Sequence, residues 1–96
     1  MAQYAVLISW TEAAVRSVSK IPQRAEQFRL AVEAAGGRVH AFLHTLGTYD
    51  AVAVVELPGD EGASAMLLSF AAQGFARTVT LKGWTTADFA KIAERL

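Results

Sequence analysis

His44-Thr45-Leu46-Gly47-Thr48-Tyr49-Asp50-Ala51-Val52 is the stretch on which the fold reading turns. A Gly- and Asp-bearing turn separates two apolar runs, which is the pattern of a hairpin between antiparallel strands. Gly47 is placed to take a positive φ, and the Asp50 carboxylate to hydrogen-bond the turn backbone. Tyr49 adds an aromatic hydroxyl, whose ring either covers the core or reaches a neighbouring subunit.

Upstream of the turn, Arg38 to Leu46 alternates and predicts a strand. Downstream, Ala51-Val52-Ala53-Val54-Val55-Glu56-Leu57 predicts the next, ended by Pro58-Gly59. Gly36-Gly37 closes a helix in which Ile21, Ala25, Phe28, Val32 and Ala35 recur at helical spacing, with Pro22 suited to its first turn. Earlier still, Tyr4-Ala5-Val6-Leu7-Ile8-Ser9-Trp10 reads as a buried central strand, and Thr11 caps a single helical turn through Val15.

Beyond the hairpin, Asp60 is expected to cap a helix bearing Ala63, Met66, Leu67 and Phe70 and ended by Gly74. Arg77 to Lys82 alternates as a fourth strand. Thr85 or Thr86 then caps a last helix with one apolar stripe of Phe89, Ile92, Ala93 and Leu96. The whole order predicts one α+β domain over residues 1–96, a ferredoxin-like βαββαβ antiparallel sheet with a C-terminal helix. Helices cover one face of such a sheet; the other is solvated or covered by a second copy.

Composition points the same way. Ninety-six residues suit one domain with a limited core, yet 53% of them are hydrophobic. The excess implies self-association, as a dimer or a higher oligomer. Nine basic residues balance nine acidic ones, which excludes the basic stripe of a nucleic-acid binder and the charge needed at an anionic membrane. Without cysteine there is no disulfide, thiolate chemistry or Cys-ligated metal. Met1-Ala2-Gln3-Tyr4 does not read as the start of a signal peptide, and no run is long enough to span a membrane. The expected location is the cytoplasm.

Leu46-Gly47-Thr48-Tyr49-Asp50-Ala51-Val52 resembles the signature of the GYD-domain family, with Gly47, Tyr49 and Asp50 as its name-giving residues. The strand ending at Trp10-Thr11, the helix start Lys20-Ile21-Pro22-Gln23-Arg24-Ala25-Glu26 and the Arg77-Thr78-Val79-Thr80 strand are similar to that family as well, so the resemblance covers nearly the whole chain. It implies a ferredoxin-like fold of the dimeric α/β-barrel type, in which two sheets pack open face to open face. It carries no general activity.

Strand periodicity then assigns faces. Arg38, His40, Phe42 and His44 alternate with Val39, Ala41 and Leu43. A pairing that sets His40 opposite Glu56 keeps that carboxylate out of the core and is the one expected. Val79 and Leu81 suit the helix side, which leaves Thr78, Thr80 and Lys82 on the open face. On the first strand the choice is less clear-cut: one reading puts Tyr4, Val6, Ile8 and Trp10 in the core and Ala5, Leu7 and Ser9 on the open side. The open face would thus carry His40, Phe42, His44, Glu56, Thr78, Thr80 and Lys82, a mixture suited to a small-molecule ligand. Its expected ligand-binding residues are His40, Phe42, His44 and Lys82.

Chemistry beyond binding is open at this level. His40 and His44 lie about 13 Å apart on a strand and cannot share a metal ion within one chain. As acid–base groups, His40 or His44 would act with Tyr49 or Lys82 stabilising developing negative charge. Arg16, Lys20 and Arg24 form a basic group near the first long helix. Gly59-Asp60-Glu61-Gly62 lacks the Lys-Ser/Thr ending of a phosphate loop. No cofactor or metal is called for. The expected function is that of a small oligomeric ligand-binding or accessory protein. The alternatives are a cofactor-independent dimeric-barrel enzyme working through histidine, or a purely structural oligomerising subunit.

Overall fold

Strand β1 (Ala2–Trp10) lies in the interior of a four-stranded sheet in the computed structural model, which describes residues 1–96. The chain continues through a short helix α1 (Glu12–Val15), a 3-10 turn (Val18–Lys20) and α2 (Ile21–Ala34) to β2 (Arg38–His44) and β3 (Ala51–Leu57). Helix α3 (Asp60–Ala72), strand β4 (Ala76–Gly83) and helix α4 (Thr86–Ala93) complete it. The sheet order is β2-β3-β1-β4 and every pair is antiparallel, so this is the ferredoxin-like α+β fold.

The helix side of the sheet is the core. Tyr4, Val6, Ile8 and Trp10 of β1 and Ala51, Ala53, Val55 and Leu57 of β3 are all buried there, against Phe28 and Val32 of α2 and Ala63, Met66, Leu67 and Phe70 of α3. The small alanines of β3 let the rings of α2 and α3 approach: Phe28 meets Phe70 edge-on at 5.3 Å. Local signals work as read at several ends. Thr11 accepts from Ala14 N and caps α1, Thr85 accepts from Asp88 N and caps α4, and Gly36 (φ +89) and Gly74 (φ +87) follow the helices they end. Gly37 answers to a different need: a Cβ there would lie 2.0 Å from the Glu56 carbonyl oxygen, so only glycine lets β2 start this close to β3.

Three expectations are corrected. First, β2 does not alternate throughout. Arg38, not His40 as expected, pairs with Glu56, and Val39 pairs with Val55, but Ala41 pairs with Val54, so the register shifts by one residue at His40, which has no ladder partner. This bulge puts two residues of β2 against one step of β3 and turns everything after it over. Phe42 and His44, expected on the open face, therefore pair with Ala53 and Ala51 on the helix side, while Ala41 and Leu43 take the open side. Phe42 gains the edge of Phe28 at 5.8 Å, the burial that favours this register.

Second, β4 faces the other way. Thr78, Thr80 and Lys82 pair with Ile8, Val6 and Tyr4 on the helix side, and Val79 and Leu81 pair with Leu7 and Ala5 on the open side. As an edge strand only partly covered by α3, β4 can hold threonines on its helix face without burying them fully. Third, Asp60 is not the cap of α3. Gly59 holds the cap position without a side-chain bond, and Asp60 is the first helical residue.

Candidate functional site

The open face of the sheet is mainly apolar. Ala5 and Leu7 of β1, Ala41 and Leu43 of β2, Val52 and Val54 of β3 and Val79 and Leu81 of β4 share it. No helix covers them: Leu43 is 65% exposed and Leu81 53%. Trp84, 55% exposed, stands just past β4 and lines a depression of about 240 Å³ with Ala5, Val54 and Gln3.

One end of this face is polar. Glu56 on β3 accepts from Arg38 Nε at 2.5 Å and from Gln3 Nε2 at 3.1 Å, and His40 Nε2 lies 3.6 Å from its other contact oxygen, Oε2. The three partners reach Glu56 by different routes. Gln3 and Arg38 are its direct cross-strand neighbours, and the bulge lets His40 approach as well. The Arg38 guanidinium holds the Glu56 carboxyl below its usual carboxylate range, with Gln3 helping and partial desolvation opposing. Glu56 is thus a secured anion, its side chain only 13% exposed, whereas Arg38 is 70% exposed. A guanidinium has five N–H donors, so Arg38 keeps donors for a further acceptor.

A second polar group sits on the opposite side of the sheet at the start of α3. Tyr4 Oη donates to Asp60 Oδ1 at 2.6 Å, and Lys82 Nζ lies 2.9 Å from the same oxygen. Burial, then the Asp60 hydrogen bond, pushes the Tyr4 hydroxyl up to about 12. The Tyr4 and Lys82 bonds lower Asp60, whose charge also suits a helix N-terminus. This set fastens β1, β4 and α3 together.

The residues singled out from sequence are therefore divided. His40 is on the open face beside Glu56. Phe42 and His44 lie on the helix side, their rings 5.2 Å apart at the sheet's edge. Lys82 is on the helix side with Asp60. No surface depression is lined by His40, Phe42 or His44. Gly47 has φ +111 in the β2–β3 loop, as expected. Asp50 works differently from expectation. Its backbone closes the loop, accepting from Thr45 N at 2.9 Å, while its carboxylate accepts from Trp10 N at 2.9 Å on β1. Tyr49 is half-buried, and its carbonyl accepts from Thr45 Oγ1. Of the basic group, Arg16 pairs with Glu12 and Arg24 stacks on Phe75, 3.3 Å from the ring centroid.

Gln3, Arg38 and Asp60 were not singled out as site residues. Gln3 and Glu56 are 53 positions apart, and Tyr4 and Asp60 are 56 apart. Only the strand register brings them together, and no local pattern encodes it.

Fold and site together define a class: a small ferredoxin-like α+β domain with a bare apolar sheet face and one charged cluster at its end. The chain matches the GYD domain family over residues 4–93 and belongs to it. The C-terminal domain of the MgtC protein from Mycobacterium tuberculosis is similar in structure, with 11% identity and a TM-score of 0.45 over 86% of this chain and 88% of that one. No curated protein sequence matches the chain. No helix is long and apolar enough to cross a membrane.

Proposed function

We propose that the chain works as a homodimer joined open sheet face to open sheet face, with the Gln3–Arg38–His40–Glu56 cluster lining a small-molecule site at the end of the shared interior. The observation that carries this reading is an apolar face drawn from all four strands that no part of the chain covers. Surface area agrees. A 10.3 kDa monomer is expected to expose about 5,350 Å², and this chain exposes 6193 Å². The surplus is close to the roughly 800 Å² that each partner contributes to a standard interface.

The ligand class follows from what faces the cleft. Apolar side chains suit an apolar body, and the remaining Arg38 donors suit a carboxylate. Binding is favoured over catalysis because Glu56 is already held by two donors. His40 at 3.6 Å from Glu56 is the one group on this face placed for acid–base work, and it supports the enzymatic alternative.

The interface is tested by light scattering on Val54→Asp and Leu81→Asp. Both positions are exposed on the open face, so each variant is expected to keep its circular dichroism and to run as a monomer where the parent chain is a dimer. A monomeric parent would overturn the reading. For the site, amide chemical shifts are followed while benzoate is added. Movement at Arg38, His40 and Glu56 that disappears in Arg38→Ala supports it; no movement there, or movement unchanged in Arg38→Ala, overturns the ligand site.

A further inference from the structure

Helix α4 is the part of the fold with least to do in a single chain. None of its residues is buried. Its sequence is nonetheless sharply two-sided. Phe89, Ile92, Ala93 and Leu96 fall on one stripe, and Asp88, Lys91, Glu94 and Arg95 fall on the remainder. Phe89 is 55% exposed, and Leu96, just past the helix, is fully exposed. The helix is well formed, with Thr85 as its cap and Asp88 in its first turn. A capped amphipathic helix whose apolar stripe is exposed except for a half-buried Ile92 has an absent counterpart.

Three observations identify that counterpart. The stripe's charged flank holds two acidic and two basic residues, and the chain's net charge is zero, so an anionic membrane surface or a nucleic acid finds no attraction there. The helix is also too small to serve as the chain's own cover for the open face. Eight residues make a cylinder about 12 Å long and 10 Å wide, whereas four strands paired over seven residues span roughly 19 by 23 Å. Finally, α4 is joined to that face. Trp84, immediately before its cap, shares a depression with Ala5 and Val54 of the open side. A second sheet seated on the face would meet Trp84 at its margin, and α4 follows Trp84 in the chain after a single capping residue. The molecule's long axis of 49 Å, against 28 and 17 Å, is consistent with a projecting element.

We propose that α4 is an arm that lays its Phe89–Ile92–Ala93–Leu96 stripe on a second copy of this chain, extending the sheet-face contact beyond the sheet margin. The inference rests on the face-to-face dimer of the preceding subsection. Reciprocal arms follow from a two-fold axis, each chain giving one and receiving one.

The test uses the full chain carrying Phe89→Ser and Ile92→Ser together. Both side chains lie outside the core, so the circular dichroism is expected to match the parent, and the dimer dissociation constant is expected to rise by on the order of tenfold or more. In parallel, isotope-filtered NOEs are recorded on a mixture of labelled and unlabelled parent chains. The expected result is intermolecular NOEs from the Phe89 ring. An unchanged dissociation constant, or Phe89 NOEs confined to its own chain, such as to Leu67 and Leu68 of α3, overturns the arm and leaves the sheet-face dimer standing. A parent chain that is monomeric removes both.

Discussion

The Asp50 carboxylate does its work on a strand it does not belong to. By accepting from Trp10 N it satisfies a donor at the end of β1, just past the last ladder pair with β3, Ile8 with Ala51. The prominence of Gly47, Tyr49 and Asp50 in sequence thus has a structural explanation: a positive φ, a half-buried ring and a carboxylate that ties the hairpin loop to the central strand. Asp50→Ala leaves Trp10 N unpaired, and a loss of about 1–3 kcal/mol in urea unfolding is expected. A loss within error would show that water replaces the carboxylate there.

Glu56 belongs to the same scale. Its carboxyl titrates below its ordinary value of 4.5 in the folded chain, chiefly because of Arg38. A depressed carboxylate stabilises the fold fully above the unfolded value and loses that contribution as pH falls through the folded one. The urea midpoint is therefore expected to fall on acidification below about pH 4.5, and to fall less in Glu56→Gln. Asp60 adds a similar slope of its own, which Glu56→Gln leaves in place. Parallel profiles for parent and variant would mean the Arg38 bond does not form in solution.

At the scale of elements, legibility depended on whether a pattern had one reading. The strand and helix order, the caps at Thr11 and Thr85 and the helix ends at Gly36 and Gly74 were readable because each rests on a local rule. The β3 faces were readable because the Glu56 carboxylate marks one side as solvent-facing, whereas on β1 both alternating sets are largely apolar and the pattern left its face open. Strands β2 and β4 were not readable. In β4, threonines alternate with Val79 and Leu81, and the rule that apolar residues face the core misassigns them because both sheet faces here take apolar side chains. In β2, one bulged residue reverses all that follows. That yields a prediction. Deleting His40 restores an unbroken ladder with Val39, Ala41, Phe42 and Leu43 on their present faces. The deletion variant is expected to fold cooperatively with Phe42 still against Phe28. If β2 were regular instead, the deletion would push Phe42 out of the core and cost several kcal/mol, of the order seen for losing a buried aromatic.

For the whole molecule, the apolar excess in the composition and the uncovered sheet face are one fact seen twice. Two apolar faces on a sheet with one helical layer leave a surface that a second copy can close. Mass action makes this measurable without knowing the ligand. The melting temperature of the parent chain is expected to rise with protein concentration, and that of Val54→Asp is not. The candidate site was legible only in part: His40 and Glu56 were expected together through a register that the structure does not keep, and they meet because the bulge at His40 sits beside the Arg38–Glu56 pair, while Arg38 and Gln3 became partners through pairings 18 and 53 positions apart.

The position of β1 also has a consequence for synthesis. The strand made first is the one to which β3 and β4 both attach, and neither exists until the chain has grown past residues 57 and 83. At cellular elongation rates the run Tyr4–Trp10 waits roughly 4–15 s for its last neighbour. For roughly the first 2–9 s of that interval, until β3 is complete, its alternating large apolar side chains have no sheet to join. The nascent chain is thus a natural client for holding factors at the ribosome, and its yield is expected to be more sensitive to translation speed than that of a domain whose central strand is made last.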